Sequence, residues 1–437
     1  MPLVRCLLLA SALIASTASA ADVLELTHFH PIDGTGAAER EVGRMVVRDG
    51  VIVAIDAQGQ VPVAEPGARW TRIDLDGAWI MPGLIDTHVH VARFADTRTN
   101  AEKILRQAVR GGVTGVRDLA GDARALAELE RSMGAGEFTG PHLEFSALFG
   151  GPGIFVHGPT AEMASGRPPG AAPWTRAIVA DSDLRTAVAE AKGSGAGTIK
   201  VYGNLDAALA TRLINEATRQ GLHTTAHATV FPARPGDLVA AGVGTLTHSP
   251  YLVWEAVDKV PDDYGARIAG PWKTVPPDDP KLLALYKRMA ERGTFLDATL
   301  YVYKAMKNFA PDMHVEWADA AFDWGAKATR LAHQAGVRVT TGTDWFEPRE
   351  GELPHTHDEL ALLVEQAGFT PMAAIISGTR NGAIAMGIDR ITGTVDVGKQ
   401  ADLLVLAADP LADIHNTTRI RMTVRAGTIV APEQPPE

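Results

Sequence analysis

Between residues 83 and 344 the chain alternates short, continuously apolar runs with longer stretches whose apolar positions recur every three to four residues. The first texture belongs to strands buried on both faces and the second to amphipathic helices packed over them. The pattern predicts strands over residues 83–91, 112–119, 142–149, 198–202, 222–228, 245–249, 294–300 and 338–344. Helices are predicted over residues 101–110, 183–192, 207–220, 280–292 and 318–335. Strands separated by helices build right-handed βα units around a parallel sheet. Eight of them is the number that closes a (β/α)8 TIM barrel, and a middle of roughly 300 residues suits that fold with insertions.

The two ends read differently. Residues 23–80 carry short alternating runs separated by the turn dipeptides Asp33-Gly34, Asp49-Gly50 and Asp76-Gly77, and residues 401–406 and 421–430 have the same β texture. The expected fold class is therefore α/β, a barrel over residues 81–387 with a small β-sandwich built from residues 21–80 and 388–437. Two insertions, residues 150–176 and 250–279, follow the carboxyl ends of strands three and six, where barrel active sites are built.

Residues 1–20 hold one charge, Arg5, then an apolar run from Leu7 to Ala15 and the small residues Ala18-Ser19-Ala20. This is the layout of a cleaved secretory signal, and it predicts a periplasmic or secreted protein beginning at Ala21. The apolar run is too short to stay as a membrane span, and Val4-Arg5 before Cys6 is no lipoprotein signal, so no membrane anchor is expected. Cys6 is the only cysteine, which leaves His, Asp, Glu or a modified Lys to hold any metal. A net charge of −11 without a basic run argues against nucleic acid as a partner. A small-molecule substrate is expected, and homo-oligomer formation is compatible with the sequence.

The chemistry starts from His88 and His90. One residue apart on a strand, they share a face and their imidazoles converge, which is a metal-ligand spacing. Other strand ends add Lys200, His227, His248 and Asp344. His223 shares a face with His227, but four residues of strand put them ~13 Å apart, and only His227 lies at the upper end. Lys200 either pairs with a carboxylate or is converted by CO2 to a carbamate. The carbamate is preferred, because a free ammonium among metal-bound imidazoles is strongly disfavoured.

Together these motifs resemble the amidohydrolase superfamily, in the branch of imidazolonepropionase-like proteins and prolidase-like metallo-dipeptidases. The resemblance is carried by Met81-Pro-Gly-Leu-Ile-Asp-Thr-His-Val-His90, Gly112-Val-Thr-Gly-Val-Arg-Asp118, Ile199-Lys-Val201, Ala226-His-Ala228, Gly342-Thr-Asp344 and Gly393-Thr-Val-Asp-Val-Gly-Lys-Gln-Ala-Asp-Leu-Leu-Val405. It implies two divalent ions, zinc by preference. His88, His90 and Asp344 would hold the buried ion, His227 and His248 the exposed one, and N6-carboxylated Lys200 would bridge them. A metal-bridging hydroxide would then attack an amide or small-peptide C–N bond, with Asp344 as the base. An esterase, lactonase or phosphotriesterase on the same site is the alternative, and a catalytically silent binding protein the third reading.

Five further residues are candidates for substrate contact. Arg117 suits a substrate carboxylate as well as a neighbouring acid such as Asp118. Tyr202 suits a hydrogen bond near the leaving group as well as packing beside the barrel mouth. His157, His355 and His357 lie in loops after strands three and eight, where solvated histidines are the plainer reading. Two departures from the relatives concern the pocket. Lys200-Val-Tyr-Gly-Asn-Leu-Asp206 lacks the usual Gly-rich segment, and Thr247-His-Ser249 stands where Glu-His-Gly is more usual.

Overall fold

Alternation in the N-terminal segments produces strands with one buried face. β1 (Asp22–Pro31), β2 (Val42–Arg48), β3 (Val51–Asp56) and the long β4 (Arg69–Pro82) form most of a seven-stranded sheet. In this computed structural model the described residues are 21–37, 42–56, 67–93, 97–156, 160, 163–164, 166–309, 316–344 and 351–431. The expected leader over residues 1–20 and the candidate His157 lie outside them.

At Gly83 the chain passes from β4 into the barrel, where a Cβ would lie 2.2 Å from the Thr114 hydroxyl, so only glycine permits the crossing. The barrel strands follow in chain order as β5 (Leu84–Val89), β6 (Val113–Asp118) and β7 (His142–Gly150). A small ribbon, β8 (Ala171–Ala172) and β9 (Thr175–Ala177), then adds to the upper half of β7. The barrel resumes with β10 (Thr198–Val201), β11 (His223–His227), β12 (Thr245–Thr247), β13 (Phe295–Asp297) and β14 (Val339–Thr340). Neighbouring barrel strands pair in parallel. The ring is closed by backbone bonds from the Thr87 amide to the Thr341 carbonyl and from the Asp344 amide to the His88 carbonyl, both 2.8 Å.

Helices sit where the apolar periodicity places them, as residues 207–219 illustrate. The Asp206 carboxylate caps the first turn by accepting from the Leu209 amide at 2.7 Å, and Leu209, Ala210, Leu213, Ile214 and Ala217 face the barrel. The chain then returns as β15 (Leu403–Leu406), β16 (Ile420–Arg425) and β17 (Thr428–Val430) to complete the first sheet. Its order is β17-β16-β15-β4-β1-β2-β3. β1 and β4 are parallel within it, and the rest of its pairings are antiparallel. The sheet folds over its own core of residues such as Leu26, Met45, Ile52, Ile80 and Leu403, so the molecule is a TIM barrel with a β-sandwich. Among the described residues no helix is long and apolar enough to cross a membrane.

Strands six and eight are shorter than their apolar runs predict. β12 stops at Thr247 and β14 at Thr340, leaving His248 and Asp344 on backbone with φ of 69° and 51°. Strand geometry requires strongly negative φ, so the chain must leave the ladder to bring these side chains to the barrel axis.

Candidate metal centre

Six side chains meet at the carboxyl end of the barrel. His88, His90, Lys200, His227, His248 and Asp344 all line one cavity of about 590 Å³. The Asp344 Oδ1 atom lies 3.0 Å from His90 Nε2 and 3.4 Å from His88 Nε2, and Oδ2 lies 3.9 Å from His248 Nε2. Ligands ~2.0–2.1 Å from a tetrahedral ion are ~3.3 Å apart, so the first two separations are those of its edges. His88, His248 and Asp344 bring their ligand atoms within 4.8 Å of one another, a grouping that can hold an ion.

What turns the rings inward is a second set of groups. The outer nitrogen Nδ1 of His88 bonds Asp297 at 3.1 Å, that of His227 bonds the Tyr264 hydroxyl at 2.7 Å, and that of His248 bonds the Thr299 hydroxyl at 2.9 Å. With Nδ1 engaged, each ring offers Nε2 to the centre. Asp86 fixes the backbone beneath. It accepts from the His88 and Thr343 amides at 3.1 Å each and from the Thr343 and Thr356 hydroxyls at 2.9 Å each. Between Asp297 and His88 runs Gly342, whose Cβ would meet Asp297 Oδ1 at 2.2 Å and His88 Cβ at 2.6 Å.

Burial sets the charges. It holds His88 and His227 well below the usual imidazole range and His248 at about 3, so all three rings are neutral and able to donate a lone pair. Lys200, 1% exposed and bonded to the Thr247 hydroxyl at 3.2 Å, is pushed down by burial to about 7. Burial also pushes the Asp344 carboxyl up, but the hydrogen bond from His90 and the neighbouring basic groups more than offset it and keep it low. For Asp297 burial wins over the pull of Arg117, and the carboxyl rises to about 8.

The expected substrate contacts fare unevenly. Tyr202 lines the cavity, its ring 4.3 Å from that of His227. Arg117 does not reach the cavity. It is fully buried, donates to the Thr87 and Ala385 carbonyls at 3.1 and 3.0 Å, and lies 3.7 Å from Glu144. Although it stands one residue from the carboxyl end of β6, its guanidinium is taken up by these partners. His355 stacks on Tyr301 at 4.3 Å and bonds Asp358 at 2.8 Å, away from the six. His357 is buried between the Thr417 hydroxyl at 3.0 Å and the Gly111 carbonyl at 2.9 Å, tying a helix to the structure behind it. His223 sits at the opposite end of β11 from His227.

The sequence reading missed Asp297, Tyr264, Thr299 and Asp86. Asp297 and Thr299 fall inside the predicted seventh strand, and their polarity on an apolar run was the available signal. Tyr264 and Arg267 come from the insertion after strand six, in the 3-10 turn Tyr264–Ala269, where no periodicity announces direction. Both insertions supply wall residues, Thr160 and Met163 from the first and Tyr251, Tyr264 and Arg267 from the second.

Comparison with known proteins agrees with this architecture. The Amidohydrolase family profile matches residues 79–430. The chain is 25% identical over 436 residues to a protein named ochratoxinase from Aspergillus niger, covering 88% of this chain and 81% of the relative. It is 27% identical over 443 residues to an imidazolonepropionase from Deinococcus deserti, covering 90% and 95% respectively. The solved structure of A. niger ochratoxinase superposes with a TM-score of 0.72 at 23% identity, over 94% of this chain and 96% of that one. A Xaa-Pro dipeptidase with methionine in its active site gives a TM-score of 0.72 at 18% identity, over 94% and 100%. The barrel, the sandwich and a family match across most of the sequence lead to one conclusion: the chain belongs to the amidohydrolase family and is a metal-dependent hydrolase of carbon–nitrogen bonds.

Proposed function

We propose that this protein is an exported amidohydrolase that uses two divalent ions, zinc by preference, to hydrolyse the C–N bond of an amide or small peptide. The observation that carries the reading is the set of three imidazoles locked by their outer nitrogens and presenting Nε2 to Lys200 and Asp344. The donor set suits such ions, since it is all nitrogen and oxygen and its imidazoles are neutral. His88, His90 and Asp344 would hold one ion, His227 and His248 the other, and Lys200 would serve both as its carbamate. A lysine held near 7 is neutral often enough to add CO2, and the carbamate replaces a disfavoured buried cation with an anion.

When bound, the ions supply a water that ionises near neutral pH and a Lewis acid for the substrate carbonyl. Asp344 takes the proton of the attacking water at its carboxylate and returns it to the leaving nitrogen. Its carboxyl is held low, so it is ionised at neutral pH and has a lone pair for the proton. The wall residues Tyr251 and Tyr303 set their rings beside that of His248 on one side of the cavity. Export rests on the pattern of residues 1–20, and N-terminal sequencing of protein recovered from the periplasm should begin at Ala21.

The test is elemental analysis of the purified protein followed by a hydrolysis screen. Dipeptides, N-acyl amino acids, cyclic amides, lactones and phosphotriesters are offered to the zinc-loaded enzyme. About two equivalents of metal with turnover on amides is the expected result. Absence of bound zinc, iron or manganese, or activity confined to esters, overturns the reading.

A further inference from the structure

The wall of the cavity holds a cation that no described residue neutralises. Arg267 is half-buried on the 3-10 turn Tyr264–Ala269 and lines the cavity with the six centre residues. Its guanidinium lies 4.4 Å from the centre of the Tyr264 ring, and Nη1 donates to the Tyr264 carbonyl at 3.4 Å, the long limit of a hydrogen bond. No carboxylate among the described residues pairs with it. The shielded Arg44 and Arg425 do have one, in Glu25 and Asp402. A guanidinium presents five N–H donors in a fixed fork, and here most of them remain for whatever occupies the cavity.

The position is informative as well as the charge. Tyr264, whose ring face holds the guanidinium, bonds His227 through its hydroxyl at 2.7 Å. The cation is thus seated one aromatic ring from the metal centre, near enough to engage a group adjoining the scissile bond. The wall also carries Arg93, which has a partner of its own, and the hydroxyl groups of threonine and tyrosine side chains, but Leu148, Met163, Val302, Met306 and Trp317 give it apolar surface as well. The cavity therefore suits a ligand that carries both an anion, for Arg267, and an apolar group, for these side chains. Carboxylate is the anion whose geometry the guanidinium fork matches in an amide substrate.

We infer that Arg267 is the specificity-determining receptor for a substrate carboxylate, and that the substrates are N-acyl amino acids or dipeptides with a free carboxylate and an apolar side group. The inference rests on the hydrolase reading for what is done to the ligand, and on Arg267 for which ligand is chosen.

Titration calorimetry on the zinc-loaded full chain tests it with N-acetyl-L-phenylalanine and its carboxamide, in parallel with their hydrolysis. The acid should bind ~10- to 100-fold more tightly than the amide, the range for hydrogen bonds to a charged group. Arg267→Met should erase that preference, and Arg267→Lys, which keeps the charge and loses the fork, should leave an intermediate one. Metal content and melting temperature check the fold. If the methionine variant loses either, the lysine variant carries the test by the same ratio. Equal affinity for acid and amide in the wild type, no binding of either, or an acid preference that survives both substitutions overturns the inference. An acid preference lost with Arg267 supports it even if neither compound is cleaved, in which case the hydrolytic reading is what fails. Equal cleavage of both with no preference overturns the inference and leaves hydrolysis standing.

Discussion

Removing a single oxygen from Tyr264 asks whether the orienting bonds matter. Tyr264→Phe keeps the ring that supports Arg267 and deletes only the hydroxyl 2.7 Å from His227 Nδ1. His227 is 4% exposed, so water does not readily replace the lost partner. A buried donor left unmatched costs about 1–3 kcal/mol. Because the bond matters most when Nε2 is engaged at the centre, that cost falls on metal affinity, as a loss of about 10- to 100-fold. Competition against a chromophoric zinc chelator measures it directly, with circular dichroism confirming that the fold is intact. Thr299→Val, which removes the partner of His248 Nδ1 at 2.9 Å, should behave in the same way. Zinc affinity within about threefold of wild type in both variants would refute the claim that these hydroxyls orient the ligands.

Lys200→Ala should lose zinc and activity together, with partial rescue by short carboxylic acids that stand in for the carbamate; unaltered metal content would remove Lys200 from the centre. Asp344→Asn should lower kcat by ~10²-fold or more, and a normal rate would require another base. Burial pushes Glu359 up from 4.5 to about 8 although it accepts from the Leu300 and Tyr301 amides at 3.0 and 2.6 Å. Because its folded value is raised, its stabilisation is fully present below pH 4.5 and is lost as pH rises through about 8. Glu359→Gln should flatten that decline by ~3–5 kcal/mol, read from urea midpoints at pH 5 and pH 8; equal slopes in both proteins would contradict it.

The sequence showed the barrel clearly because buried parallel strands leave an unmistakable apolar run and the helices between them a clean period. It singled out the six residues that line one cavity together because ligand chemistry is rare on such runs. Strand ends were less legible. His248 and Asp344 look like strand residues in the sequence, yet both sit on left-handed backbone, and no local pattern marks where a ladder stops when the following residue must turn inward. Arg117 misled for a related reason. Its place near a strand end suited a substrate carboxylate as well as a neighbouring acid, and its guanidinium is spent on the Thr87 and Ala385 carbonyls. His357 is the reverse case, a loop histidine by sequence that packing made into a buried tie.

The groups that sequence missed share a physical character, since each acts through another residue. Positive φ at His248, Thr299 and Asp344 costs on the order of 1–3 kcal/mol per residue, so something must hold them there. The His248 amide is held by the Asp297 carbonyl at 3.0 Å, the Asp344 amide by the His88 carbonyl at 2.8 Å, and the Thr299 hydroxyl by His248 itself. Asp86 binds both sides of the closing seam between β5 and β14. Reaction type is therefore fixed by the closed barrel, where residues distant in sequence oversee one another. The insertion after β12 adds Arg267 and the Tyr264 ring beneath it, joined to that lattice through the Tyr264 hydroxyl on His227 and the Tyr264 amide on the Asn204 side chain. A change of substrate can accordingly be made in residues 250–279 without disturbing β5, β10 or β14, provided the Tyr264 hydroxyl stays on His227.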